Sequence, residues 1–226
     1  MLFDMDGTLI DSEKLWDVAL QELAARYGGQ LSPTARLAMV GSDLATTMRL
    51  LHGDLDQPWR DPVSGAAWLT ARVTELFWTD IQWRPGAAEL LREVRRAGVP
   101  TALVTSTERG LVDVALATLG RHNFDVVVCG DEVAATKPDP APYLAAVAAL
   151  GVPVAACVAI EDSPAGVASA HTAGVTVLAV PDGARLAVPA GVTVRSSLTG
   201  VSLSMLGMLA AASGGGQHAG SGRPTG

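Results

Sequence analysis

Four short stretches of this 226-residue chain carry side chains that could do chemistry together. Asp4 and Asp6 flank Met5 close to the N-terminus, and Thr105, Ser106 and Thr107 supply hydroxyls. Lys137, one of only two lysines, precedes Pro138, and Glu161-Asp162-Ser163 adds two more acids. Each stretch alone has an ordinary explanation: Asp-x-Asp is common in loops, a lysine before proline is usually solvated, and Asp162 or Ser163 before Pro164 would cap a helix. Together they form a phosphoryl-transfer set. Clustered carboxylates raise one another's pKa unless a cation neutralises them. All-oxygen ligands with no His or Cys nearby favour a hard divalent ion, Mg²⁺ before others. A carboxylate attacking an anionic phosphoryl group needs that charge screening, while a lysine and hydroxyl or N–H donors hold the equatorial oxygens. The set fits transfer through an aspartyl-phosphate intermediate.

The elements around these stretches place them on one rim. Residues 1–5 are a short apolar run ending in acids. Residues 14–28 have helical spacing through Leu15, Ala19 and Leu23 with Gly28-Gly29 as a stop, Ser32-Pro33 opens another helix broken by Gly41, and helical turns follow at 43–52 and 63–77. From Pro85 the pattern alternates: helices at 86–97, 110–119, 140–150 and 165–173 are interleaved with strands at 100–105, 125–129, 155–160 and 175–180. The strands are continuous Val-rich runs, which predicts a parallel sheet buried on both faces. An edge strand at 192–195 and a last helix at 200–211 are expected, and the glycine-rich residues 213–226 have nothing to bury and read as a flexible tail. The expected fold is therefore α/β: a Rossmann-like parallel sheet with helices on both faces, residues 1–12 and 81–212, interrupted by an all-helical cap domain, residues 13–80. Ligands of open parallel sheets bind at the carboxyl ends of the strands, where all four stretches fall.

Composition agrees with a packed globular body: 49% of residues are hydrophobic and 17% charged. Sixteen basic residues against 23 acidic ones give a formal charge of −7, and the arginines are scattered, so nucleic acid is not an expected partner. No apolar run reaches membrane-spanning length and no signal peptide opens the chain, so a cytoplasmic protein is expected, as a monomer, with Cys129 and Cys157 as buried free thiols.

The motifs resemble those of the haloacid dehalogenase (HAD) superfamily, in the branch with a helical cap after the first motif, which includes β-phosphoglucomutase, phosphoglycolate phosphatase and sugar-phosphate phosphatases. Phe3-Asp4-Met5-Asp6-Gly7-Thr8-Leu9, Thr105 at the end of Leu103-Val104-Thr105, Lys137 of Lys137-Pro138-Asp139-Pro140, and Glu161-Asp162-Ser163-Pro164-Ala165-Gly166 follow in the family's order. Asp11-Ser12-Glu13 followed by Leu15-Trp16 is also similar to phosphatases of that branch. The resemblance spans residues 1 to roughly 200 and implies a Mg²⁺-dependent phosphatase acting on a small phosphate ester. It implies Asp4 as nucleophile and Asp6 as general acid and then base. Thr105, Ser106 and Lys137 would hold phosphoryl oxygens, with Lys137 also orienting Asp4. Asp4, Asp162 and the backbone carbonyl of Asp6 would bind Mg²⁺, supported by Glu161.

Related activities fit less well. Family dehalogenases lack an acid at the position of Asp6 and need no metal. Phosphonoacetaldehyde hydrolysis needs a cap lysine, and the only candidate is Lys14 at the cap's edge. A phosphomutase shares the core residues but carries an arginine in the cap loop to grip a second phosphate. None stands around Gly41-Ser42-Asp43-Leu44, although Arg36 and Arg49 are nearby. A binding protein that had lost turnover would be expected to lack one of these residues. The four histidines show no metal-ligand spacing, and of the five tryptophans Trp16 is the one placed to touch substrate.

Overall fold

The computed structural model describes residues 1–40, 42–181 and 186–214. Six parallel strands, β1 (Leu2–Phe3), β2 (Ala102–Val104), β3 (Val126–Val128), β4 (Val158–Glu161), β5 (Thr176–Ala179) and β6 (Thr193–Val194), form one sheet in the order β3-β2-β1-β4-β5-β6. β1 lies in the middle although it has only two residues, pairing Leu2 with Ala102 and Ala159 and Phe3 with Leu103 and Ile160. Chain order reverses on either side of β1, which opens a crevice at the carboxyl ends of β1, β2 and β4.

The sheet is buried on both faces, as the apolar runs predict. Phe3, Leu103, Ile160 and Leu178 point to one layer, with α5 (Ala87–Arg96), α6 (Arg109–Leu119) and α9 (Leu203–Gly214). Their alternate neighbours Leu2, Ala102, Ala159 and Val177 point to the other, with α7 (Ala141–Leu150) and α8 (Pro164–Thr172). The period of two along each strand makes this sorting automatic.

Between β1 and β2 come α1 (Glu13–Arg26), α2 (Pro33–Met39), α3 (Leu44–Asp54) and α4 (Pro62–Asp80). Short polar side chains start three of them: Ser32, Asp43 and Asp61 each accept a hydrogen bond from a backbone N–H of the first turn. Leu23, Met48, Leu51, Leu69 and Val73 fill the space between these helices. The insertion joins the sheet by two crossings that lie side by side: Asp11 N–H donates to Gln82 O at 2.8 Å and Arg84 N–H to Leu9 O at 2.9 Å.

Three elements differ notably from the sequence reading. β4 starts at Val158, because Pro153 sets off a 3₁₀ turn over Val154–Ala156. It runs on to Glu161, which places that carboxylate within the sheet. α4 continues to Asp80, since Leu69, Val73 and Phe77 keep one buried face through its length. α9 continues to Gly214, taking in the first two residues of the expected tail. Gly41 and residues 215–226 lie outside the described residues. Among the described residues no helix is long and apolar enough to cross a membrane, and both Cys129 and Cys157 are buried free thiols.

Candidate active site

The turn after β1 sets the first two acids. Gly7 adopts φ +78°, and Leu9 N–H and Ile10 N–H both return to Met5 O, so the chain doubles back immediately beyond Asp6. Gly7 also lacks the Cβ that would stand 2.0 Å from Asp162 Oδ2, which lets the fourth motif lie against the first.

Asp4 is 5% exposed and its two oxygens differ. Oδ1 accepts from Lys137 Nζ at 2.7 Å, whereas Oδ2 is buried and has no hydrogen-bond partner. Lys137 spends its other two protons on Val104 O at 2.9 Å and Glu161 Oε1 at 2.6 Å. Burial alone would lower the Lys137 pKa, but Asp4 and Glu161 more than reverse this and hold the ammonium firmly charged. Its place in the structure is that of a clamp on Asp4.

Asp6 turns away from that clamp. Its Oδ1 accepts from Ser12 Oγ at 2.7 Å, and its Oδ2 from Thr107 Oγ1 at 2.7 Å and Thr105 Oγ1 at 3.3 Å. Burial, and then the neighbouring Asp4 charge, push its pKa up to about 6 against the hydrogen bonds from Ser12 and Thr107. A carboxyl near neutrality is suited to give a proton in one step and take one in the next. Thr105 is fixed from both sides, since its Oγ1 also accepts from Thr107 N–H at 3.0 Å. Ser106 Oγ, by contrast, is buried without a partner.

Ser163 settles the competition at the fourth motif. Its Oγ caps α8 by accepting from Gly166 N–H at 3.0 Å, so Asp162 is not consumed as a cap. Carboxylate oxygens of Asp4, Glu161 and Asp162 lie within 4.8 Å of one another, the only such group of metal-ligating side chains among the described residues. Burial, and then the Asp4 and Glu161 charges, hold Asp162 well above the usual carboxylate range. Three buried carboxyls this close, with Asp162 pushed up by its neighbours' charge, fit a hard divalent cation bound by oxygen. Glu161 is fully buried beneath them, its Oε1 held by Lys137 and by Tyr143 Oη at 2.6 Å. The Asp6 carboxylate does not join this group.

These residues open into one cavity of about 270 Å³ between the strand ends and the insertion. Asp4, Asp6, Thr105, Ser106, Lys137 and Asp162 line its floor, and Trp16, Leu20, Met39 and Leu44 contribute to its roof. Glu161 does not reach it. Ser12, Thr107 and Tyr143 join the network although the sequence assigned none of them a role: Thr107 is read only as a hydroxyl of the second stretch, and Ser12 only as part of Asp11-Ser12-Glu13. Ser12 and Thr107 lie next to recognised motifs, which was the available signal, while Tyr143 carries none. Lys14 is largely exposed, pairs with Asp11 and does not line the cavity, so the insertion brings no lysine there for a Schiff base.

Gly166 shows how tightly this layer is packed: a Cβ there would stand 1.9 Å from Glu161 Oε2. Gly166→Ala should therefore displace Glu161 from Lys137 and cost about 1–3 kcal/mol of stability, as overpacking does. Urea unfolding measures this directly, and an unchanged midpoint would show that Glu161 has room to move.

The family profile described as haloacid dehalogenase-like hydrolase matches residues 1–180. Protein CbbY of Rhodobacter capsulatus is 32% identical over 197 residues, covering 80% of this chain and 84% of its own. Hexitol phosphatase A of Escherichia coli is 34% identical over 181 residues, covering 79% and 81%. The crystal structure of CbbY from Rhodobacter sphaeroides with phosphate superposes with a TM-score of 0.81 at 30% identity, covering 91% of this chain and 97% of the other.

Proposed function

The chain belongs to the haloacid dehalogenase-like hydrolases and is a phosphoric monoester hydrolase, and from that premise we propose that it is a Mg²⁺-dependent phosphatase of a small phosphorylated metabolite that works through phosphorylated Asp4. The observation that carries this reading is Asp4 itself: it lines the cavity, one of its oxygens is clamped by Lys137, and the other is left without a hydrogen-bond partner.

In the proposed sequence Asp4 Oδ2 attacks phosphorus while Lys137 fixes the carboxylate and Ser106 Oγ donates to a phosphoryl oxygen. Asp6, protonated at the start, gives its proton to the leaving oxygen. The resulting carboxylate takes a proton from the water that cleaves the Asp4–phosphate bond. Asp4 and Asp162, with Glu161 behind them, would hold Mg²⁺, which supplies positive charge beside the phosphoryl oxygens. A phosphomutase would need a cation for a second phosphate; Arg36 lines the cavity, but two carboxylates already engage it. Dialysis against chelator should abolish turnover of phosphate monoesters and Mg²⁺ should restore it. Turnover that survives exhaustive chelation would remove the metal from the proposal.

The same acids give the metal-free protein an expected pH dependence. Asp6, Glu161 and Asp162 all have folded pKa values raised above the unfolded ones, so their contribution to stability is fully present below about pH 4 and is lost as pH rises through the folded values. For Asp6 alone, a rise from 3.8 to about 6 corresponds to about 3 kcal/mol lost by neutral pH. His52, whose burial lowers its pKa, works the other way through pH 6.5. Thermal unfolding without metal should give a lower Tm at pH 7.5 than at pH 5.5, and Mg²⁺ should shrink that gap by favouring the ionised acids. An equal gap with and without Mg²⁺ would count against the site.

We also assign residues 1–12 and 81–212 to a core and 13–80 to a mobile cap. The adjacent crossings at Leu9–Asp11 and Gln82–Arg84 support this, because motion of the insertion requires change at only one place. A covalent tether locking the insertion against the strand ends should stop multiple turnover. Undiminished activity in the tethered form would exclude gating.

A further inference from the structure

Besides the phosphate-directed residues, four further acids line the cavity: Glu13 and Asp43 from the insertion, and Glu108 and Asp131 from the loops after β2 and β3. Among the described residues only two cationic side chains line the cavity, Lys137 and Arg36. Lys137 is buried in the clamp on Asp4 and Glu161. Arg36 is neutralised twice, with Nη2 on Glu13 Oε2 at 2.7 Å and Nε on Asp17 Oδ1 at 3.1 Å, and Nη2 also reaches Glu13 O at 2.9 Å. The guanidinium is only 15% exposed, so water does little to loosen these pairs. Uncharged hydrogen-bonding groups do stand in the wall. Ser42 and Thr47, whose hydroxyls are 2.9 Å apart, line it with Thr70 and Trp16.

Resting on the phosphatase reading above, we propose that the substrate is a monophosphate whose remaining body is uncharged and hydroxyl-bearing, and that bisphosphates and phosphorylated acids are excluded by the Glu13–Arg36–Asp17 arrangement. A second anionic group bound beyond the first would meet the carboxylates of Asp43, Glu108 and Asp131 and a guanidinium whose charge Glu13 and Asp17 already offset. Its own water shell would be lost without replacement. A hydroxyl has no such cost, because Arg36, Ser42 and Thr47 can all exchange hydrogen bonds with it. Selectivity here arises from repulsion of the wrong ligand as much as from attraction of the right one.

Mannitol 1-phosphate and mannitol 1,6-bisphosphate test this as a matched pair, differing only in the second phosphate. With the Mg²⁺-loaded protein the monophosphate should exceed the bisphosphate in kcat/KM by about 100-fold. Calorimetric titration of the Asp4→Asn protein should give the same order of affinities without turnover. Glu13→Gln with Asp17→Asn frees the Arg36 charge and should narrow the gap about tenfold, and Asp17→Asn alone, at a half-exposed position, should narrow it in the same direction. The proposal is overturned if the bisphosphate binds and turns over as well as the monophosphate, or if both variants leave the ratio unchanged. It is also overturned if p-nitrophenyl phosphate is hydrolysed while neither mannitol ester binds. Failure to hydrolyse any ester, p-nitrophenyl phosphate included, would instead sink the phosphatase reading, and the calorimetric order of the pair would still decide the charge argument.

Discussion

Asp4→Asn is expected to lower phosphate release by about four orders of magnitude or more, since an amide nitrogen is a poor nucleophile and no other group replaces it. The fold should survive, because the change is nearly isosteric and Lys137 keeps Glu161 and Val104 O as acceptors. Lys137 also dictates which way the amide lies. Its ammonium can face only the amide oxygen, which turns the NH₂ group into the place of the unpartnered Oδ2. The attacking atom is thus the one replaced. Colorimetric phosphate release checks the loss, and intact mass after quenching should show no phosphorylated protein. Activity within tenfold of the parent would move the nucleophile away from Asp4.

Asp6→Ala should divide substrates by their leaving groups. An alkyl phosphate expels a strongly basic alkoxide and needs the proton that Asp6 gives, so the first step should collapse by about 10²–10⁴-fold. An aryl phosphate expels a stable phenolate, so Asp4 could still be phosphorylated once. The second step then lacks the base that activates water. Rapid mixing should show a burst of phenol near one equivalent per site, followed by a stall with phosphate held on Asp4. Ser12, Thr105 and Thr107 lose their shared acceptor, but none of them titrates near neutrality and can take over. Steady turnover of the aryl ester at the parent rate would reduce Asp6 to a structural residue.

Much of the architecture was legible because buried parallel strands have a plain signature. Runs such as 100–105 and 175–180 could be read as strands apolar on both sides, and the rim followed from where they end. The floor of the site was legible for the same reason: Asp4, Thr105 and Asp162 each directly follow a strand. What sequence spacing could not convey was side-chain direction. Asp6 pairs with Ser12, Thr105 and Thr107 because Gly7 reverses the chain, and the conformation of that turn is not written in the residue types. Glu161 stays grouped with Asp4 and Asp162, but its burial against Tyr143 was not legible, because β4 extends one residue further than its apolar run. Arg36 was noticed only as a nearby cation. Its neutralisation depends on α2 packing beside the first turns of α1, a tertiary fact.

The two lysines of the chain could hardly be more different, which makes the active site addressable by isotope labelling. Lys14 is exposed at the start of α1, whereas Lys137 is enclosed by three oxygen acceptors. Solvent exchange averages the ammonium protons of an exposed lysine out of a nitrogen-15 correlation spectrum, but those of an enclosed one exchange only when the enclosure opens. A sample labelled at lysine alone should thus present a single ammonium signal belonging to Lys137. Its chemical shift would follow the bonding state of Asp4 through resting, ligand-bound and phosphorylated forms, giving a resonance assigned by arithmetic rather than by mutagenesis.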